Sequence, residues 1–174
     1  MTVFTTHRLS LRRLTLDDAA FIVELVNDPS WLRFIGDRGV RTPADAGAYL
    51  TKGPLASYER FGFGLFLVER KADNAPIGMC GLLKRDTLPD VDVGFAFLPQ
   101  FTRQGYGFEA ASATLAYARQ TLGLKRIVAM TNPDNAASIQ LLSKLGLKFE
   151  KMVRLTPEAA EICLYGMELS TGVI

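Results

Sequence analysis

From Val91 to Phe97 apolar side chains alternate along the chain: Val91, Val93, Phe95 and Phe97, with Asp92, Gly94 and Ala96 between them. A period of two is that of a strand with one face packed. Pro99 ends it. From Gly107 the period lengthens, with Phe108, Ala111, Leu115, Ala118 and Leu122 falling on one side. That spacing predicts a helix beginning around Gly105–Gly107 and stopping at Gly123.

The same test divides the rest of the chain. Arg8–Arg12 alternates Leu9 and Leu11 with polar residues and reads as a first strand. Thr15 and Asp18 have the spacing of a capping box, so a helix runs to about Asn27, where Asp28-Pro29 stops it. An aromatic-rich segment, Trp31–Ile35, is bounded by Gly36. Thr42-Pro43-Ala-Asp45 is a strong helix start, and Gly53-Pro54 is expected to interrupt that helix before Leu55–Arg60. Phe63–Arg70 and Ile77–Lys84, joined by a short polar turn, predict an antiparallel hairpin. Arg126–Thr131 is a strand closed by Asn132-Pro133; Ala136–Leu145 is a helix ending at Gly146; Lys148–Val153 and Ile162–Leu169 are the last strands. The predicted order is β-α-α-β-β-β-α-β-α-β-β, an α/β (α+β) chain with a mixed sheet of about seven strands.

Strand 91–97, helix 105–122 and strand 126–131 form a βαβ unit whose glycine turn lies at the carboxyl edge of the strands, where ligands of such units bind. A helix start leaves N–H groups without intrahelical partners at its electropositive end. Gly105 and Gly107 permit a close approach of backbone to a phosphate, and Arg103 adds charge at the mouth. The same glycines would equally serve a tight strand-to-helix turn. At that edge Asn135 and Ser138 open the last helix, as capping groups or as part of a cleft.

Composition narrows the class. With 174 residues, 48% hydrophobic and 22% charged, the chain suits one globular domain over 1–174. A net charge of +2 without a run of basic residues gives no reason to expect nucleic acid. No apolar leader or membrane-length apolar stretch occurs, so a cytoplasmic protein without membrane partners is expected. Cys80 and Cys163 sit in apolar runs without metal-ligand spacing and read as reduced core residues; no metal is expected. The lone histidine, His7, reads as a surface residue. No G-x-x-x-x-G-K-[ST] motif follows an early strand, which excludes a P-loop enzyme.

Two stretches, LPQFTRQGYGFEAASATLAYA and NPDNAASIQLLSKLGLKFE, resemble the acetyl-CoA-binding half of the GNAT N-acetyltransferases. The opening HRLSLRRLTLDDAAFIVELVNDPSWLRFIG is similar to the branch typified by the ribosomal-protein N-terminal acetylases. The resemblance extends to about Phe149, is strongest over 103–110 and 132–146, and is weakest over 54–62 and 154–174. It implies the acyl-CoA N-acyltransferase fold, a mostly antiparallel sheet with helices on both faces. It implies acetyl-CoA as cofactor, its pyrophosphate held by the backbone of Arg103, Gln104, Gly105, Tyr106, Gly107 and Phe108. The main chain at Phe97 and Leu98 would align the pantetheine, Asn135 would bond it, and Ser138 would lie near the sulfur. Two positions depart from the family: Thr102 stands where Gln or Arg is common, and Leu142 where many members carry a tyrosine acid. Ser138 is then the catalytic candidate beside the leaving thiol.

Acetyl transfer to an amine needs the neutral amine, hence a base or a water chain. Asp92, on the central strand and one position off its apolar face, is the candidate; a salt-bridged strand acid is its other reading. Glu109 reads as a complement to the helix dipole. The acceptor site is expected from the 29–38 connection, with Trp31, Phe34 and Ile35 as an apolar wall and Asp37 or Asp28 drawing in a cationic amine. Core packing is the other reading of the aromatics. The expected activity is an acetyl-CoA-dependent N-acetyltransferase in which a primary amine, a protein N-terminal amine or a small one, attacks the thioester directly. A non-catalytic acyl-CoA-binding or sensing module is the alternative. Monomer and homodimer are both compatible with the sequence.

Overall fold

A computed structural model describes residues 1–169. One eight-stranded sheet runs through it in the order β1-β2-β3-β4-β5-β6-β8-β7. The strands are β1 (Thr2–Thr5), β2 (Leu9–Arg13), β3 (Leu65–Arg70), β4 (Ala75–Leu83), β5 (Asp92–Phe97), β6 (Arg126–Thr131), β7 (Lys148–Val153) and β8 (Ile162–Glu168). All neighbours are antiparallel except β5 and β6. The mixed, mostly antiparallel sheet is the one expected, and β1 adds a strand to the seven segments read from the sequence. Its four residues carry too short a pattern to read; they pair with β2, and Phe4 stacks on Tyr117 with ring centroids 5.1 Å apart and meets Phe66 edge-on at 6.1 Å.

The helices are α1 (Ala19–Val26), α2 (Pro29–Phe34), α3 (Pro43–Leu50), α4 (Ala56–Phe61), α5 (Tyr106–Gln120) and α6 (Ala136–Leu145). Both capping boxes form, at Thr15 with Asp18 and at Thr42 with Asp45. The aromatic segment is helical, because α1 closes at Asn27 and Asp28 at once caps α2 by accepting from Ser30 N–H at 3.0 Å. The expected interruption at Gly53-Pro54 does not occur. A π turn over Thr51–Leu55 carries α3 directly into α4, and its looser hydrogen-bond pattern accommodates a proline that has no N–H to give. Gly62, at φ 79°, then ends α4.

Alternation along the strands divides the core. Phe66, Val68, Ile77, Cys80 and Val93 pack against α5, with Leu142 of α6 in the same cluster. Leu67, Met79 and Leu98 pack with Ile22, Leu25, Trp31 and Leu50 of α1–α3 on the other face. Among the described residues no helix is long and apolar enough to cross a membrane.

Candidate active site

The sheet opens between β5 and β6. Their ladder pairs only Asp92 with Val128, fastened by Val128 N–H to Val91 C=O at 3.0 Å. On its other edge β5 stays paired with β4 throughout, and Leu98 N–H continues that edge by donating to Ile77 C=O at 2.9 Å. Peptide groups alternate in direction along a strand. Leu98 therefore faces β4, whereas Phe95 and Phe97 present N–H and C=O to the opening. Of the two main-chain positions expected to align a pantetheine, Phe97 offers a donor there. Leu98 has spent its N–H, and its side chain is buried.

At the top of the opening the chain turns into α5. Arg103 and Gly105 both adopt left-handed backbone, at φ 61° and 83°. Tyr106, Gly107 and Phe108 precede the first intrahelical bond, which Glu109 N–H donates to Gly105 C=O at 3.0 Å. Side chains cap α2, α3 and α6, but among the described residues none caps α5. Such an end can receive an anion. A Cβ on Gly107 would come within 3.2 Å of Leu141 and 3.7 Å of Phe97, so this glycine lets the turn settle onto α6 and the strand end.

A basic group that the sequence did not mark, Arg8, reaches this turn. Arg8 donates from Nη1 to Gln104 C=O at 3.0 Å and from Nε to Glu109 Oε2 at 2.7 Å. Its guanidinium lies 4.3 Å from the centre of the Tyr106 ring. Glu109 also accepts from Thr6 Oγ1 and Arg8 N–H. Burial pushes its pKa up, but these bonds outweigh that and hold it below the usual range. Nothing in the spacing of strand β2 marks Arg8 for this contact.

Asp92 lies at the vertex of the opening, 3% exposed. It faces the α1–α3 side with Gly94 and Ala96. Arg85 Nε approaches its Oδ1 at 3.3 Å. Burial raises its pKa to about 6, with Arg85 and Lys84 pulling against that rise. A carboxyl poised there changes charge near neutral pH.

Across the opening Asn135 caps α6: its Oδ1 accepts from Ser138 N–H at 3.2 Å, leaving Nδ2 as the donor it can offer a ligand. Ser138 is half-buried in the first turn of the helix. Leu142, where the family's tyrosine would stand, is fully buried. Asn132 Nδ2 donates to Phe34 C=O at 2.6 Å and brings the end of α2 against this loop. Phe34 is half-buried and Ile35 exposed, whereas Trp31 lies in the core. Among the described residues, Trp31 Nε1 and Thr131 Oγ1 are the two buried side-chain polar atoms without a hydrogen-bond partner. Thr131 ends β6 at the opening and carried no signal in the sequence beyond its strand.

Asp37 accepts from Arg41 at 2.7 Å and from Gly39 N–H at 2.8 Å, and Arg41 holds its carboxyl below the usual range. With Asp28 used as a cap, both acids expected to attract a cation are engaged. Cys80 is buried with its thiol pushed up to about 12, which leaves no nucleophilic thiolate at neutral pH. No group of His, Cys, Asp and Glu among the described residues is arranged to hold a metal.

The sequence profile of the acetyltransferase (GNAT) domain matches residues 8–148. This chain belongs to the GNAT acetyltransferase family. The uncharacterized N-acetyltransferase YnaD of Bacillus subtilis is 30% identical over 146 residues, spanning 84% of this chain and 82% of that protein. Two solved structures share the fold at lower identity. The ribosomal L7/L12 α-N-protein acetyltransferase RimL, in complex with CoA, superposes with a TM-score of 0.80 at 16% identity, covering 97% of this chain and 98% of that one. Spermidine N-acetyltransferase from Vibrio cholerae, in complex with CoA and spermine, gives 0.77 at 17%, covering 93% and 96%. This GNAT chain is an acyltransferase.

Proposed function

We propose that this GNAT chain is a single catalytic domain that moves an acetyl group from acetyl-CoA to a primary amine by direct attack of the amine on the thioester. The observation that carries the reading is the separation of β5 from β6 after one residue pair, which leaves the backbone of Phe95 and Phe97 unpaired beside an uncapped helix. An extended pantetheine would add to that edge as a strand does. Acetyl-CoA supplies an activated carbonyl with a thiolate leaving group.

The residues then divide the work. N–H groups of Arg103–Phe108 receive the pyrophosphate. Asn135 Nδ2 bonds the pantetheine, and Ser138 Oγ donates to the sulfur as it acquires charge. Asp92, with its pKa raised to about 6, accepts the proton of the incoming ammonium through water and passes it to solvent beside Arg85. The acceptor approaches over α2, past Phe34 and Ile35. Because Asp28 and Asp37 are both engaged, a single amine, such as a protein N-terminus, suits this face better than a polyamine that needs several free acids.

Thermal unfolding with acetyl-CoA, CoA and ATP, followed by thiol release across N-terminal peptides and small amines, tests the reading. A ligand of the native state at about 100-fold its Kd adds about 2.7 kcal/mol, a readable shift in Tm. Stabilisation by both CoA species and peptide-dependent thiol release are expected. No shift with either would sink the donor; a shift without release on any amine would leave only binding.

A further inference from the structure

Arg8 contributes to the α5 turn from 96 positions away in the sequence, at the junction of β1 and β2. It engages that turn through successive residues. Nη1 bonds Gln104 C=O at 3.0 Å, Nη2 lies 3.2 Å from where a Cβ on Gly105 would stand, and the guanidinium stacks over Tyr106. Its Nε and backbone N–H both donate to the Glu109 carboxylate, each at 2.7 Å.

The C=O and N–H of a trans peptide point in opposite directions. Holding Gln104 C=O towards Arg8 therefore turns Gly105 N–H to the far side, where an anion over the turn would receive it. Gly105 has no Cβ to resist rotation of that peptide. A rotated peptide would present an oxygen, and repulsion, at the same spot. Arg8 also neutralises Glu109, whose carboxylate in the first helical turn would otherwise oppose a phosphate.

We propose that Arg8 is the positioning residue that presets the phosphate-binding turn of α5, fixing the Gln104–Gly105 peptide and cancelling the charge of Glu109. The proposal rests on the reading of residues 103–108 as the pyrophosphate site.

The test compares two donors on the full chain: acetyl-CoA, and S-acetylpantetheine, which carries the same thioester without the pyrophosphate. In Arg8→Ala the KM for acetyl-CoA is expected to rise about tenfold with kcat changed by less than about twofold, while KM for S-acetylpantetheine stays put. Arg8→Lys keeps the charge but cannot span the carbonyl and the carboxylate with one ammonium, so it should recover only part of the loss. An equal rise for both donors would reduce Arg8 to general support of the fold, and no rise for either, or full recovery by lysine, would overturn the peptide-orienting role. If Arg8→Ala melts below the assay temperature, Arg8→Lys carries the same two-donor comparison. A wild-type protein that uses both donors with equal KM would instead remove the pyrophosphate site itself.

Discussion

Asn132 Nδ2 donates to the carbonyl of Phe34 at 2.6 Å, fastening the loop before α6 to the end of α2 across 98 positions of sequence. The same segments meet at the surface, where Arg33 and Asp134 approach to 3.6 Å with both side chains well exposed. Water and salt screen that ion pair, so the half-buried amide bond carries the junction. Asn132→Ala is expected to cost about 1 kcal/mol in denaturant unfolding and to raise KM for the amine more than for acetyl-CoA. An amine KM that does not move would take α2 off the acceptor's path.

Asp92 links activity and stability with opposite signs. Its folded pKa of about 6 stands above the ordinary 3.8, so the folded state binds its proton more tightly than the unfolded chain. Its contribution to stability is therefore full below about pH 4 and lost as the pH rises through about 6. Asp92→Asn is expected to stabilise the fold at pH 7 by about 1–3 kcal/mol while lowering kcat about 100-fold. In the wild type, kcat/KM should climb with pH and level off above about 6. A variant with full turnover would remove the carboxylate from the chemistry.

Ser138 and Asn135 should separate in a calorimetric titration with CoA. Ser138→Ala keeps the cap, which uses the backbone N–H of that residue, and is expected to lower kcat about tenfold with Kd for CoA unchanged. Asn135→Ala removes the cap and is expected to cost about 1 kcal/mol of stability and to weaken CoA binding as well. Identical behaviour of the two variants would mean that both act through the helix end alone.

Gly105 and Gly107 answer different demands. A side chain at Gly105 would have to adopt φ 83° and meet Arg8 Nη2 at 3.2 Å, so Gly105→Ala is expected to cost about 1–2 kcal/mol and to weaken CoA binding. Gly107 presses only on the movable end of Leu141 and on the Phe97 ring. Gly107→Ala should cost less than about 1 kcal/mol, since alanine also favours the helix. Paired melting curves of the two variants decide this, and a larger loss at Gly107 would reverse the assignment.

Thr131 Oγ1 is buried without a partner among the described residues. Thr131→Val keeps the shape and removes the unsatisfied hydroxyl, so stability is expected to hold or to rise by up to about 1 kcal/mol. A fall in Tm would show that the hydroxyl is bonded in solution.

Long periodic segments were legible from side-chain order. Val93 and Phe95, Ala111 and Leu115, and Ile127 and Ala129 fall on strand and helix periods that local geometry enforces, so β5, α5 and β6 lie where the pattern predicts. Caps at Thr15, Thr42 and Asn135 are bonds between residues two or three apart, and the sequence is enough to find them. Gly53-Pro54 misled for a related reason. Its local rule is sound for an α-helix, but packing on both sides keeps the chain helical through a π turn.

The sequence by itself determined where the chain extends, coils and turns, because those choices depend on neighbours within a few residues, and its motifs marked a GNAT chain. Tertiary structure alone decided that β5 leaves β6 after one pair and that Asp92 is buried at the vertex. It also decided that Phe34 meets Asn132 and that Arg8 reaches the α5 turn. Each of these joins groups far apart in sequence, set by how the two faces of the sheet pack. Burial and the field of nearby charges then give each group its chemistry, and no local pattern of side chains encodes either.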